Sequence, residues 1–109
     1  MIYFSYMSKI PVKKIDAATD LLKTISGSFR MQIICLLCSK GSLSVSEISE
    51  ALDSEQSATS HQLAKLRSDE IVDTNKSGQI VKYSLATTKN AELAKKIKQY
   101  DFFDYKVSE

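Results

Sequence analysis

Residues 44–67, SVSEISEALDSEQSATSHQLAKLR, decide the fold, because they hold two short helical patterns separated by a tight break. The first pattern has apolar residues at helical spacing, namely Val45, Ile48 and Leu52. Ser44 precedes it and Glu47 stands three residues later, which is the signature of a capping box at a helix start. Asp53 and Ser54 lie in the break, and one of them is expected to be the N-cap of the second helix. The stretch therefore predicts a helix-turn-helix.

The second helix of this stretch has two contrasting faces. The face expected to be buried holds Thr59, Leu63 and Leu66. The opposite face holds small or polar side chains, which are Ser57, Ser60, His61, Ala64 and Ser68, with Lys65 at its edge. Such a face lets the backbone come close to another surface and still offers donors and acceptors, and a DNA major groove is one such surface. A solvated helix with a serine-rich surface is the alternative interpretation.

Two helices are predicted before this stretch. Apolar residues at helical spacing indicate the first over residues 12–24, after Pro11, and they are Ile15, Ala18, Leu21, Leu22 and Ile25. A break at Ser-Gly-Ser around Gly27 separates it from the second, which covers about residues 28–39. The second helix is apolar nearly all round, so it is expected to be the buried centre of the domain, and Gly41 ends it.

A β-hairpin and a last helix are predicted after the stretch. Residues 71–76 and 79–85 flank Ser77-Gly78, and the second of these segments alternates as a strand does. Thr87 or Thr88 is expected to cap the last helix, whose apolar stripe consists of Ala94, Ile97 and Tyr100, flanked by Leu93 and Phe103. The fold class is therefore mainly α with a small β-hairpin, in the order α-α-α-α-β-β-α.

Length and composition indicate one soluble domain. The chain has 109 residues, 43% of them hydrophobic and 26% charged, and a net charge of only +2, so any basic surface must come from local clustering. No stretch resembles a secretory signal or a membrane span, and the two cysteines are expected to be reduced, which together predict a cytoplasmic protein. We expect an N-terminal extension over residues 1–11, the domain over 12–104 and a short tail over 105–109.

From about residue 21 to residue 85 the chain resembles the ArsR/SmtB family of winged-helix repressors. The resemblance is carried by LLKTISGSFRMQIICLL, LSVSEISEAL, QSATSHQLAKLR and IVDTNKSGQIVKYSL, in that order and at the right spacing. It implies a winged helix-turn-helix fold and a homodimer paired through its first and last helices. It also implies a non-enzymatic repressor that binds a pseudo-palindromic operator in double-stranded DNA and blocks transcription.

Two groups of DNA contacts are expected. Ser57, Ser60 and His61 match the family's base-reading positions, Ala64 suits a thymine methyl group, and Gln56 can reach a base edge or a phosphate. Cations and polar groups for the DNA backbone are expected beside them and on the hairpin, at Lys65, Arg67, Lys76, Gln79 and Lys82. Since this is a modest number of phosphate contacts, binding should depend on salt and require a dimer.

No cofactor or metal is expected. One family metal site uses cysteines at the positions of Ser44 and Ser46, and hydroxyls do not replace soft thiolates for arsenic, cadmium or lead. A second family site needs histidine in the last helix, where this chain offers only Asp101, Asp104 and Glu109. The only histidine, His61, is more consistent with a DNA contact. The inducer, if one exists, is not identified by the sequence.

Cys35 and Cys38 have two interpretations. In the first, both are small apolar residues that fill a buried helix, where burial makes a thiol inert. In the second, Cys35 is redox-active. Cys35 matches a sensing cysteine in one family branch, although the partner cysteine of the last helix is missing here. A thiol oxidoreductase built on these two residues is one rival function. The other is a protein-interaction module that uses the aromatic ends of the chain, Tyr3, Phe4, Tyr6, Phe102, Phe103 and Tyr105.

Four residues depart from the family pattern. Thr59 and Ser54 replace apolar residues, which is expected to weaken the packing of the helix-turn-helix. Glu55 stands at the usual capping serine and Gln79 at a common hairpin arginine, which reduces the positive potential toward DNA. Moderate DNA affinity is the expected consequence.

Overall fold

The computed structural model describes residues 10–99. Its elements are α1 (Val12–Ile25), α2 (Ser28–Lys40), β1 (Ser42–Ser44), α3 (Val45–Leu52), α4 (Gln56–Ser68), β2 (Val72–Ser77), β3 (Ile80–Leu85) and α5 (Lys89–Lys98). The predicted order of helices and hairpin is confirmed. The predicted domain boundaries at residues 11 and 104 stay predictions. The aromatic residues near the two chain ends, which one rival function uses as an interaction surface, lie outside the described residues.

The core is built around α2, as its sequence predicts. Six of its residues are buried, and they are Met31, Ile33, Ile34, Cys35, Leu36 and Leu37. Around them pack Ile48 of α3, Leu63 and Leu66 of α4, and Ala94 of α5. A helix that is apolar around most of its circumference is stable only where most of it is covered, which is why α2 lies at the centre.

The chain turns sharply between α1 and α2, whose axes differ in direction by 80°. Within residues 10–99 no single helix has the length and apolar character needed to cross a membrane, and only α1 and α2 taken together pass that test. Unlike α2, α1 is largely exposed: its predicted apolar stripe buries Ile25, whereas Ile15 and Leu22 are each 47% exposed.

The sheet has three antiparallel strands in the order β1-β3-β2. Tyr83 of β3 lies opposite Leu43 of β1 on one side and Thr74 of β2 on the other. Gly78, with a φ of 63°, lies in the hairpin turn, where a left-handed conformation favours glycine. The strand β1 was not predicted, because three residues directly before a helix show no alternation that a sequence pattern reveals.

The helix ends confirm two capping predictions and correct one. Ser44 and Glu47 form the predicted capping box: the Ser44 hydroxyl accepts from the Glu47 N–H at 3.1 Å, and the Glu47 carboxylate accepts from the Ser44 N–H at 2.9 Å. Thr88 caps α5, since its hydroxyl accepts from the Ala91 N–H at 3.1 Å. The prediction that Asp53 or Ser54 caps α4 was wrong. Glu55 is the N-cap of α4. Asp53, with a left-handed φ of 52°, is instead the C-cap of α3, and the Ser54 hydroxyl pairs with that of Thr59.

Candidate nucleic-acid interface

The two faces of α4 are oriented as its sequence predicts. Thr59, Leu63 and Leu66 are fully buried against α2 and α3. The opposite face is exposed along its length, and it consists of Ser57, Ser60, His61, Ala64, Lys65 and Ser68. Arg67 is exposed beside this face. The protomer therefore leaves the small polar surface open, and the contact of these residues with DNA stays a prediction.

Gln56 lies at the start of α4, next to the start of α3. Its Nε2 donates to the Ser46 hydroxyl at 2.9 Å, and both side chains are exposed. Ser46 is one of the two positions where the family's metal site has a cysteine, so this chain uses that position to fix a predicted DNA contact. The pairing was missed at the sequence level, because ten residues and a turn separate the two residues.

A buried hydroxyl cluster joins α3 to α4 in the turn between them. It consists of Ser49, Ser54 and Thr59. The Thr59 hydroxyl donates to the backbone carbonyl of Glu55 at 3.0 Å, accepts from Ser49 at 2.9 Å and lies 2.8 Å from the Ser54 hydroxyl. With its one proton directed at Glu55, Thr59 accepts from both serines, which uses the full capacity of a hydroxyl.

The expectation that Ser54 and Thr59 weaken the packing of the helix-turn-helix stays a prediction. The cluster does give each of the three hydroxyls a hydrogen-bond partner. Among the described residues no buried side-chain nitrogen or oxygen lacks a hydrogen-bond partner. A fully satisfied buried network stabilises one arrangement of the two helices, because any other would leave a buried hydroxyl unpaired.

Two of the five backbone contacts predicted from sequence are already engaged in ion pairs. Lys65 pairs with Asp69 one turn further along α4, with 3.5 Å between Nζ and Oδ2. Lys82 of β3 pairs with Glu47 of α3, with 3.4 Å between Nζ and Oε1. The Ser44 backbone N–H, the Ser44 hydroxyl and then Lys82 hold the pKa of Glu47 below its usual value. Each of these two lysines therefore already has a carboxylate partner within the protomer.

The hairpin presents two further predicted backbone contacts at its tip. Lys76 of β2 and Gln79 in the turn are exposed. The alternation predicted for β3 holds at the base, where Tyr83 and Leu85 pack against the core. It fails toward the tip, where Ile80 is 55% and Val81 38% exposed. The end of the hairpin projects beyond the core, so neither face of the strand is covered there.

The two cysteines lie in different surroundings. Cys35 is 2% exposed in the core and lines a cavity of about 540 Å³ between α1, α2 and α5, together with Leu22, Ile25, Met31 and Ile97. Cys38 is half-buried, and burial raises the pKa of its thiol, although Lys98 and Lys95 act in the opposite direction. Both thiols are free. These surroundings disfavour a thiol oxidoreductase, which needs an accessible thiolate.

The described residues contain no group of three or more histidine, cysteine, aspartate or glutamate side chains placed to hold a metal ion. Ser44 and Ser46, at the positions of the family's metal-binding cysteines, are instead used in the capping box and in the contact with Gln56. Asp101, Asp104 and Glu109 lie outside the described residues.

A family model for bacterial regulatory proteins of the arsR family matches residues 28–74, which include all of α4. The transcriptional activator HlyU of Vibrio cholerae is 45% identical over 71 residues, a match that spans 65% of this chain and 65% of that protein, just under two thirds of its length. The biofilm growth-associated repressor of Xylella fastidiosa is 33% identical over 81 residues, which cover 74% of this chain and 70% of the repressor.

Solved structures agree with these matches. The structure of HlyU from Vibrio cholerae has a TM-score of 0.70 and 38% sequence identity, and the similarity covers 80% of this chain and 94% of that one. The transcriptional repressor BigR from Xylella fastidiosa has a TM-score of 0.75 and 28% identity, with 86% of this chain and 93% of that one covered. The chain has the winged helix-turn-helix fold and belongs to the arsR family of bacterial transcriptional regulators.

Proposed function

We propose that this protein is a sequence-specific DNA-binding regulator that acts as a homodimer on a two-fold-symmetric operator and represses by occluding transcription. The observation that supports it best is the exposed face of α4. Its side chains are short and mostly polar, and it lies beside a projecting hairpin. An α-helix enters a major groove most closely when its outward side chains are small, and hydroxyl and imidazole groups then reach base edges.

The two groups of contacts have different tasks. Ser57, Ser60 and His61 read bases, Ala64 contacts a thymine methyl group, and Gln56 acts at the start of the helix. The phosphate backbone is bound through Arg67 and Lys76, and Gln79 adds a neutral donor. Lys65 and Lys82 also bind phosphates, once they leave their carboxylate partners. Because only Arg67 and Lys76 of these four cations form no ion pair with residues 10–99, one protomer holds a duplex weakly and two are needed.

The second copy is proposed to cover α1 and the adjoining part of α5. One side of α1 exposes Val12, Ile15 and Leu22, at 59%, 47% and 47%, and Ile10 just before the helix is 45% exposed. Leu22 belongs both to this strip and to the cavity beside Cys35, which Ile97 of α5 also lines. Exposed apolar side chains of this kind are costly in water, and an identical surface on a second copy covers them with two-fold symmetry.

Repression rather than activation is the simplest mechanism, because a dimer seated on a promoter excludes polymerase without any further surface. The two relatives are named as an activator and as a repressor, so family membership alone leaves the direction of control open.

Selection of duplexes from fragments of the host genome tests this function. We expect the protein to enrich fragments that share an inverted repeat, and its affinity for them to fall steeply as salt rises. A dimer in sedimentation and a footprint overlapping a promoter complete the expected result. Failure to bind any duplex in a salt-dependent manner would contradict the proposal and favour a protein-interaction module.

A further inference from the structure

Arg30 joins three parts of the fold. Its Nε donates to the backbone carbonyl of Thr24 at the end of α1, and one guanidinium NH₂ group donates to Oε1 of Gln62 in the middle of α4, both at 2.8 Å. The other guanidinium nitrogen lies over Gly27, where a Cβ would stand only 2.8 Å from it. Gly27 is the N-cap of α2, so the absence of a side chain there lets the guanidinium lie close to the turn between α1 and α2.

A second attachment holds the C-terminal end of α4. The hydroxyl of Thr24, which is 3% exposed, donates to the carboxylate of Asp69, the C-cap of α4. The backbone carbonyl of Asp69 accepts from Nδ2 of Asn90 in α5 at 2.9 Å. Gln62 and Asp69 are two helical turns apart, about 10 Å along the axis. The same short segment, Thr24 to Arg30, thus holds α4 at two separate points.

Both attachments are hydrogen bonds, and they restrict the orientation of α4 more than its apolar contacts do. Only Thr59, Leu63 and Leu66 of α4 are buried, so its apolar contacts form a narrow strip that resists rotation about the helix axis weakly. Gln62 lies on the flank of the helix, next to His61 of the exposed face. A contact on the flank opposes rotation directly, whereas a contact on the buried face mainly opposes separation.

We propose that Arg30 and Gln62 are positioning residues for DNA recognition: their hydrogen bond fixes the rotation of α4 and so the direction in which Ser60 and His61 point. This inference rests on the DNA binding proposed above. A rotation of about 20° moves a side-chain tip about 5 Å from the helix axis by about 2 Å, which is enough to break a hydrogen bond to a base. Contacts to phosphates, made by long and flexible lysines, tolerate such a shift.

The test compares Gln62→Ala with Gln62→Glu, using a duplex that the wild-type protein selects from a random-sequence pool and an unselected duplex of equal length. Gln62→Ala removes the acceptor of Arg30, and we expect about tenfold weaker binding to the selected duplex with less than about twofold change on the unselected one. Gln62→Glu keeps an acceptor for the guanidinium, so affinity for the selected duplex should return to within about threefold of wild type.

The glutamate variant separates positioning from direct contact. If Gln62 itself touched DNA, the added negative charge would face phosphates, and Gln62→Glu would bind both duplexes more weakly than Gln62→Ala. That result would overturn the inference. So would equal losses on the two duplexes, because a rotated helix loses base contacts rather than backbone contacts.

Arg30→Ala and the double variant Arg30→Ala with Gln62→Ala complete a mutant cycle. We expect the double variant to bind the selected duplex no more weakly than Arg30→Ala alone, because one hydrogen bond is lost in both. If the affinity losses of the two single variants multiplied in the double variant, the two residues would act independently, and the proposed coupling of Arg30 and Gln62 would be wrong. Melting temperatures of all variants check that reduced binding does not follow from unfolding. If wild-type protein binds no duplex, the proposed function itself fails, whereas wild-type binding with unaffected variants overturns only this inference.

Discussion

Ser49 donates a hydrogen bond of 2.9 Å to Thr59 across the turn of the helix-turn-helix. Ser49 is only 5% exposed and Thr59 is fully buried. Thr59 also accepts from Ser54, so one threonine oxygen holds α3, the turn and α4 together. The position of α4 thus depends on a buried polar contact as well as on apolar packing.

Thr59→Val should therefore destabilise the fold although it keeps the volume of the side chain. It leaves the buried Ser49 hydroxyl without its acceptor, at an expected cost of about 1–3 kcal/mol in the free energy of unfolding. Chemical denaturation measures this. Ser49→Ala combined with Thr59→Val should cost less than the sum of the single changes, because both partners are then absent. Thr87→Val, at an exposed residue between β3 and α5, is the matched control and should change stability by less than about 0.5 kcal/mol.

Glu70→Gly should stabilise the protein. Glu70 adopts a φ of 61°, in the left-handed region that penalises a residue with a Cβ, and glycine relieves this strain by about 1 kcal/mol. The hydrogen bond that Thr88 donates to the Glu70 carbonyl is made by the backbone and is retained. Glu70→Ala removes the carboxylate but keeps the strain, so its melting temperature should not rise. An equal rise in both variants would show that charge, not backbone conformation, is responsible.

The hydrogen bonds that Glu47 accepts from Ser44, together with its ion pair to Lys82, should make stability depend on pH. The lowered pKa of Glu47 means that its ionised form stabilises the fold, fully above the usual value of 4.5 and progressively less as the pH falls through the lowered pKa. Wild type should therefore melt above Glu47→Gln at pH 7, and the difference should shrink below pH 4.5. Glu50→Gln is the control, because Glu50 is an exposed carboxylate of the same helix that forms no ion pair with residues 10–99. The difference in melting temperature between wild type and Glu50→Gln should not follow the pattern expected for Glu47→Gln.

Base contacts and backbone contacts should respond differently to substitution. Ser60→Ala or His61→Ala should lower affinity for a selected operator by about 1–3 kcal/mol and relax the preference at single base pairs. Lys76→Ala should weaken binding to every duplex alike and reduce the slope of log affinity against log salt by about 1. Fluorescence anisotropy over a salt series measures both. The division of tasks is wrong if the two kinds of variant behave in the same way.

Leu22→Arg should abolish the proposed dimer. Leu22 is 47% exposed on α1 and lines the cavity beside α5, so a charge there opposes burial against a second copy. We expect a monomer in analytical ultracentrifugation and at least about tenfold weaker operator binding. Ala17→Glu introduces a charge on the other side of the same helix and should leave the dimer intact. A Leu22→Arg protein that stays dimeric would place the interface elsewhere.

The features that the sequence alone determined are those in which the interacting residues are close in the chain. The capping box of Ser44 and Glu47, the turn at Gly78 and the two faces of α4 all depend on spacings of a few residues, which backbone geometry converts into position. The apolar character of α2 likewise predicted its burial. The matches to arsR-family regulators agree with the fold inferred from these local patterns.

Only the tertiary structure decided the contacts that orient α4. Ser49 and Thr59 are 10 residues apart, Arg30 and Gln62 are 32 apart, and Thr24 and Asp69 are 45 apart. A serine, an arginine or a glutamine in a sequence has many possible partners, and the choice among them is made when helices pack. The same holds for β1, whose three residues become a strand because β3 offers unpaired backbone groups beside them.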